Sequence, residues 1–162
     1  MERLWTPWRM QYISNAAEPP SGCLFCELPK QMNDAENLLL RRGERCFSLL
    51  NLYPYNSGHA MVAPYQHTAD FEGLAPEIAA DVFAEAQRLV AALRTEYHPH
   101  GFNLGLNLGQ AAGAGIPDHL HLHVVPRWSG DANFMPLLAD TKVLPESLQQ
   151  TYARLRRVLT PE

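Results

Sequence analysis

The sequence predicts an α+β fold: an antiparallel meander sheet with a long helix and a C-terminal helix packed on it. Three observations carry this. Several short stretches between residues 37 and 125 are apolar and bounded by turn residues, and two of them, Phe102 to Leu108 and His119 to Val124, alternate with period two, as strands do. Two stretches, beginning at Pro76 and Glu146, instead repeat apolar residues every three or four positions, as amphipathic helices do. The order of these elements contains no repeated βαβ units, which argues against a doubly wound parallel sheet. With 162 residues, 46% of them hydrophobic, the chain is long enough for one domain with a substantial core. Residues 1–162 are therefore read as a single domain, with residues 1–22 as an N-terminal arm.

The arm carries three prolines, Trp5, Trp8 and Ser21-Gly22, a composition that suits an irregular segment ordered by packing its aromatics. Strand character begins with Leu38-Leu39-Leu40, turns at Gly43-Glu44 and resumes in Cys46-Phe47-Ser48-Leu49-Leu50-Asn51-Leu52, which reads as a hairpin. Pro54-Tyr55-Asn56-Ser57-Gly58 is a turn cluster, and His59-Ala60-Met61-Val62-Ala63-Pro64 adds a third strand. Pro76 suits the first turn of a helix, and Ile78, Val82, Ala86, Leu89 and Leu93 set its apolar stripe. About five turns are expected, ending near His98-Pro99 because proline disfavours helix in the residue before it. Phe102 to Leu108 alternates like a strand, the Gly109–Gly115 segment is a glycine-rich loop, and a histidine-rich strand follows. The last helix is placed over Glu146 to Val158, with Leu148, Tyr152, Leu155 and Val158 on one side.

Composition narrows the function. Charged residues make up 19% and the formal net charge is −4, so no global basic field attracts nucleic acid or an anionic membrane. An anionic substrate must then be bound by local donors. The start has no apolar run of the length a secretory leader needs, and no later segment suits a membrane span, so the expectation is a cytoplasmic enzyme. Three cysteines are too few for a disulfide framework. Cys46, inside an apolar strand, reads as a buried thiol.

The densest chemistry lies in His119-Leu120-His121-Leu122-His123-Val124-Val125-Pro126. On a strand, His119, His121 and His123 share one face while Leu120, Leu122 and Val124 turn to the core. Imidazoles titrate near neutrality, bind metals and act as nucleophiles, so such a row suits chemistry at a phosphate or a metal. The glycines just upstream let backbone N–H groups approach an anion closely. Cys23-Leu24-Phe25-Cys26 has the spacing of two ligands of a tetrahedral metal, and equally that of a redox pair or two packed thiols. His98 and His100 sit at a predicted helix C-terminus, where exposed imidazoles are favoured by the dipole, and are read that way. Trp5, Trp8 and Trp128 are read as packing residues; Arg9 and Arg127 suit either a phosphate or solvent.

The run His119 to Val125 resembles the motif of the histidine triad superfamily of nucleotide hydrolases and transferases, His-φ-His-φ-His-φ-φ with φ apolar, at every position. The resemblance extends to Asn51 before a turn, Ser57-Gly58-His59, Pro64-Tyr65-Gln66-His67 and Asn107-Leu108-Gly109. Trp5-Thr6-Pro7-Trp8-Arg9 and Pro126-Arg127-Trp128 look most like the bacterial branch related to diadenosine polyphosphate hydrolases and phosphorylases.

That resemblance implies cleavage of a phosphoanhydride, or a phosphoramidate, at the α-phosphate of a purine nucleotide or dinucleoside polyphosphate. His121 would attack phosphorus and form a covalent nucleotidyl-histidine, its other ring nitrogen held by a carbonyl. His123 would contact the phosphate, Asn51 the ribose, and His59 would lie near the nucleotide. Asn107 and the backbone of Gly113, Ala114 and Gly115 would stabilise the developing charge. Members that carry zinc complete a cysteine pair with two histidines, which here implies Cys23, Cys26, His67 and His119 around a structural zinc and no organic cofactor. A homodimer is implied as well. The loop departs from the shorter hydrolases: fourteen positions separate Asn107 from His121, one more than their pattern, so hydrolysis and phosphorolysis both stay open. Two other classes fit the residues: a nucleotide-binding or sensor module with little turnover, and a hydrolase using the three histidines as a catalytic metal site.

Overall fold

The computed structural model describes residues 22–131 and 146–160, so the arm, except Gly22, lies outside the described residues. Five strands form one antiparallel sheet: β1 (Leu39–Arg42), β2 (Cys46–Leu50), β3 (Ala60–Pro64), β4 (Gly101–Leu106) and β5 (Leu122–Arg127). Their order is β1-β2-β3-β5-β4. The first three strands are the expected meander; β4 and β5 then pair with each other, and β5 docks on β3 through Ala60–Val124, Met61–His123 and Val62–Leu122. The histidine strand is thus interior, between β3 and the edge strand β4. Its ladder begins only at Leu122, with His119 to His121 leading into it.

The helices are α1 (Leu24–Glu27), α2 (Pro76–Tyr97) and α3 (Leu148–Leu159). The 22 residues of α2 make about six turns, one more than the apolar stripe alone predicted. It stops where expected, with His98 in the left-handed region at φ 46° and Pro99 beyond. The N-terminus of α3 is two residues later than predicted because Ser147 serves as the cap. Its hydroxyl accepts from the Gln150 N–H while the Gln150 side chain accepts from the Ser147 N–H, a reciprocal capping box.

Alternation along the strands sends two sets of side chains to opposite faces. Leu38, Leu40, Cys46, Leu50, Ala60, Val62, Leu122 and Val124 pack against Val82, Ala86, Leu89 and Leu93 of α2 and Leu155 of α3. Leu39, Phe47, Leu49, Met61 and Ala63 form a second core with Phe25 from α1. Burial raises the Cys46 thiol to about 11, which fits its reading as an inert core thiol. Within the helix-side layer Glu85 is buried, and Arg41 at 2.6 Å, Ser48 Oγ at 2.8 Å and Arg88 at 3.3 Å supply its partners.

One glycine anchors the turn before β3. Gly58 has φ +76°, and a Cβ there would lie 2.7 Å from Cδ2 of Leu93. Only glycine lets this turn lie against α2, and the next residue is His59. No described helix is long and apolar enough to cross a membrane.

Candidate active site and metal centre

All three triad histidines are buried: His119 at 1%, His121 at 6% and His123 at 8% exposure. A row of polar rings this deep requires partners, and the partners fix which nitrogen carries each proton. His121 Nδ1 lies 2.8 Å from the carbonyl oxygen of His119, two residues back on the extended chain. A carbonyl only accepts, so Nδ1 bears the hydrogen and Nε2 of the neutral ring holds the lone pair. Burial lowers the His121 pKa below the ordinary histidine range, which keeps that lone pair available near neutrality.

His123 is oriented by a chain of donors. The Tyr55 backbone N–H donates to His59 Nδ1 at 3.0 Å, so His59 holds its proton on Nε2. That Nε2 lies 2.9 Å from His123 Nδ1 and donates to it, which leaves the His123 proton on Nε2. Tyr55 also stacks on His59, ring centroids 4.7 Å apart. Neighbouring nitrogens of the row therefore differ: His121 Nε2 presents an electron pair, His123 Nε2–H a hydrogen-bond donor. The two rings meet edge to face at 4.9 Å.

His119 belongs to a second cluster. Its Nε2–H donates to the Pro64 carbonyl at 2.9 Å, so Nδ1 presents a lone pair. Around Nδ1 lie Cys23 Sγ at 3.2 Å, Cys26 Sγ at 3.6 Å and His67 Nδ1 at 3.3 Å, and Cys26 Sγ is 3.4 Å from His67 Nδ1. The four donor atoms lie within 4.8 Å of one another. Tetrahedral zinc with bonds of about 2.05 Å to nitrogen and about 2.3 Å to sulfur sets edges of about 3.3 Å (N–N) and about 3.6 Å (S–N), so the donor set fits such an ion. Among the described residues this is the one cluster able to hold a metal, and it takes a single triad histidine. A catalytic metal on all three histidines is not the arrangement found.

The remaining predicted residues fall around the row with different degrees of engagement. Asn51 is half-buried; its N–H donates to the His59 carbonyl at 2.9 Å and its Oδ1 accepts from the Tyr53 N–H at 2.9 Å, shaping the turn that exposes Leu52 and Tyr53. Asn107 directly follows the last β4–β5 pair, Leu106–Leu122, at the end of the ladder that His121 leads into. Gly105 faces His123, and a Cβ there would meet nothing within 4 Å, leaving open space beside that imidazole. Gly113, Ala114 and Gly115 lie in a mostly exposed loop, with Gly113 at φ +84°, tied to the second core by Ile116.

Sequence reasoning passed over Phe25, whose buried ring lies 4.9 Å from that of His121 and 5.3 Å from that of His119. It also passed over Tyr55, whose turn position hid its stacking. Arg127 is engaged by Asp131 at 2.7 Å and by Asn103 at 2.7 Å. His100 bonds the Ser129 N–H at 2.8 Å and His98 caps α2, so neither belongs to the site.

Comparison with known proteins places this arrangement in a family. The HIT domain model matches residues 33–130, more than half of the chain. An AP-4-A phosphorylase of Mycobacterium tuberculosis is 43% identical over 169 residues, covering all of this chain and 84% of that protein. A zinc-bound histidine triad family protein from Mycobacterium smegmatis superimposes with a TM-score of 0.69 at 31% identity, over 85% of this chain and 93% of that one. Plasmodium falciparum diadenosine triphosphate hydrolase shares the fold, with a TM-score of 0.58 at 15% identity over 76% of this chain and 74% of that one. On its motif, its sheet and these matches, the chain belongs to the histidine triad, or HIT, family.

Proposed function

We propose that this protein cleaves dinucleoside polyphosphates, diadenosine tetraphosphate first among them, by nucleotidyl transfer through His121. The observation that carries the reading is the pair of opposite tautomers: a lone pair on His121 Nε2 beside a proton on His123 Nε2. The lone pair attacks the α-phosphorus, the bond from phosphorus to the bridging oxygen breaks, and the nucleoside polyphosphate leaves with that electron pair. The His123 Nε2–H donates to a phosphate oxygen as charge gathers there, and backbone amides of Gly113, Ala114 and Gly115 with Asn107 would donate to the same phosphate. Oδ1 of Asn51 already accepts in its turn, so a ribose contact falls to its Nδ2. An acceptor oxygen then attacks the nucleotidyl-His121 and frees the imidazole. Inorganic phosphate as that acceptor yields ADP, and water yields AMP. The relative named a phosphorylase, alike along the whole chain, favours phosphate.

Zinc is the proposed occupant of Cys23, Cys26, His67 and His119, where it would supply a cross-link between the cysteine turn and the triad strand. A cytoplasmic homodimer is also proposed. Its support is β4, an edge strand whose Asn103, Leu104 and Gly105 are exposed, Leu104 at 46%.

Incubation with diadenosine tetraphosphate, with and without phosphate, tests the reaction. ADP and ATP that form only with phosphate, and an adenylyl-protein trapped by mass spectrometry, are the expected result. Nucleotide that binds and returns unchanged would make the protein a sensor instead. His121→Ala should keep the fold and lose nearly all turnover; wild-type rates in that variant remove the nucleophile.

A further inference from the structure

Phe25 stands between the two cysteines in sequence, and between the donor cluster and the reactive row in space. Its ring is 1% exposed and lies 4.9 Å from His121 at an interplanar angle of 37°, 5.3 Å from His119 and 6.5 Å from Phe47. The backbone that carries it is a single turn, closed by the N–H groups of Cys26 and Glu27 donating to the Cys23 carbonyl at 3.0 Å. A helix of four residues has no stability of its own, so side chains at its ends must hold it in place. Here those are Cys23 and Cys26 against His67 and His119, and Phe25 in the second core.

Among the described residues, the His121 ring has one hydrogen bond, from Nδ1 to the His119 carbonyl. One hydrogen bond leaves an imidazole able to rock about the bond's axis. The buried Phe25 ring, tilted 37° against the imidazole at 4.9 Å, stands in the way of that motion. We propose that Phe25 is a positioning residue for nucleotidyl transfer: it holds the plane of the His121 imidazole, and the metal-binding turn is the clamp that holds Phe25. The inference rests on the nucleophile and zinc readings above. It assigns the cysteine turn a part in the chemical step, in addition to a part in stability.

The test uses full-length, metal-loaded Phe25→Ala and Phe25→Leu, with zinc content, thermal unfolding, kcat and KM on diadenosine tetraphosphate with phosphate, and 15N NMR of the histidine rings. Both variants should retain zinc. The kcat of Phe25→Ala should fall about 10- to 100-fold with KM little changed, the loss expected when a reacting group is misplaced rather than removed. Phe25→Leu fills the volume without a flat face and should recover only part of kcat, and in both variants the His121 ring signals should broaden or double. If alanine prevents folding, the same kcat-against-KM split in Phe25→Leu decides. Unchanged kcat, a rise in KM alone, or full recovery by leucine overturns the positioning role. Zinc-free wild-type protein would remove the metal reading, and full turnover in His121→Ala the nucleophile; unchanged kcat in the Phe25 variants with those two standing overturns this inference alone.

Discussion

At the residue scale, the proposed nucleotidyl transfer turns on where single protons sit. Tyr55 N–H, His59 and His123 form a one-way donor chain, and its direction follows from the backbone N–H at its head, which can only donate. His59→Ala should leave His123 free to take the other tautomer and lower kcat/KM about tenfold or more, as steady-state kinetics will measure; no change would show that the phosphate donor is fixed by something else. A second residue-scale effect concerns pH. The Arg127 guanidinium beside Asp131 holds its carboxyl down at about 2, helped by the Trp128 N–H and Asn56. Because the folded value is depressed, the unfolded chain binds more protons between the ordinary carboxylate range and about 2. This contribution is complete near neutrality and is lost as pH falls through that window. Arg127 is 45% exposed, so solvent screens the pair and its worth is below about 1 kcal/mol. Denaturant unfolding of Asp131→Asn should match wild type at pH 2 and fall below it by that small margin above pH 4.

At the element scale, the two long helices, β4 and β5 were legible from their periods, and β1 to β3 from short apolar runs bounded by turn residues. Val82, Ala86, Leu89 and Leu93 announce α2, and all four are buried. Leu89→Ala should cost about 2–5 kcal/mol in denaturant unfolding, since the cavity lies under the sheet and cannot collapse freely. Removing the α3 cap with Ser147→Ala should cost about 1 kcal/mol by the same measurement. Boundaries were less legible: the reciprocal Ser147–Gln150 bonds, rather than hydrophobic periodicity, decide where α3 begins. The short α1 was not legible at all, because four residues offer no period and its position depends on partners far along the chain. Gly58→Ala should destabilise the fold and lower activity together, since its left-handed φ and the Leu93 contact bind the turn before His59 to α2.

At the scale of the whole molecule, two faces of one sheet divide the work. The helix-side face supplies most of the core, and the other carries the triad, roofed at one end by α1 and Phe25. If zinc ties that roof to the sheet, exhaustive chelation should lower the thermal midpoint by several degrees and restoring zinc should reverse it; an identical midpoint in metal-free protein would sink the cross-link. Leu104→Lys on the outer edge of β4 should shift the proposed dimer to monomer in light scattering, and a monomeric wild type would dispose of that proposal.

The HIT motif, the strand and helix periods and the cysteine–histidine order are properties of the sequence alone, since each is a local pattern of side-chain chemistry along the chain. The periods and apolar runs sufficed for the α+β class, while His121, His123 and the four metal-ligand candidates are named through the motif's resemblance to the family. Tertiary structure alone decided that β5 lies between β3 and β4, that the histidine face is buried, which ring nitrogen holds each proton, and that Phe25 lies on His121. The His121 proton is set locally, by a carbonyl two residues back, but the rest depends on groups far apart in the chain, such as Pro64 with His119 and Cys23 with His119, brought together by packing that no local pattern encodes.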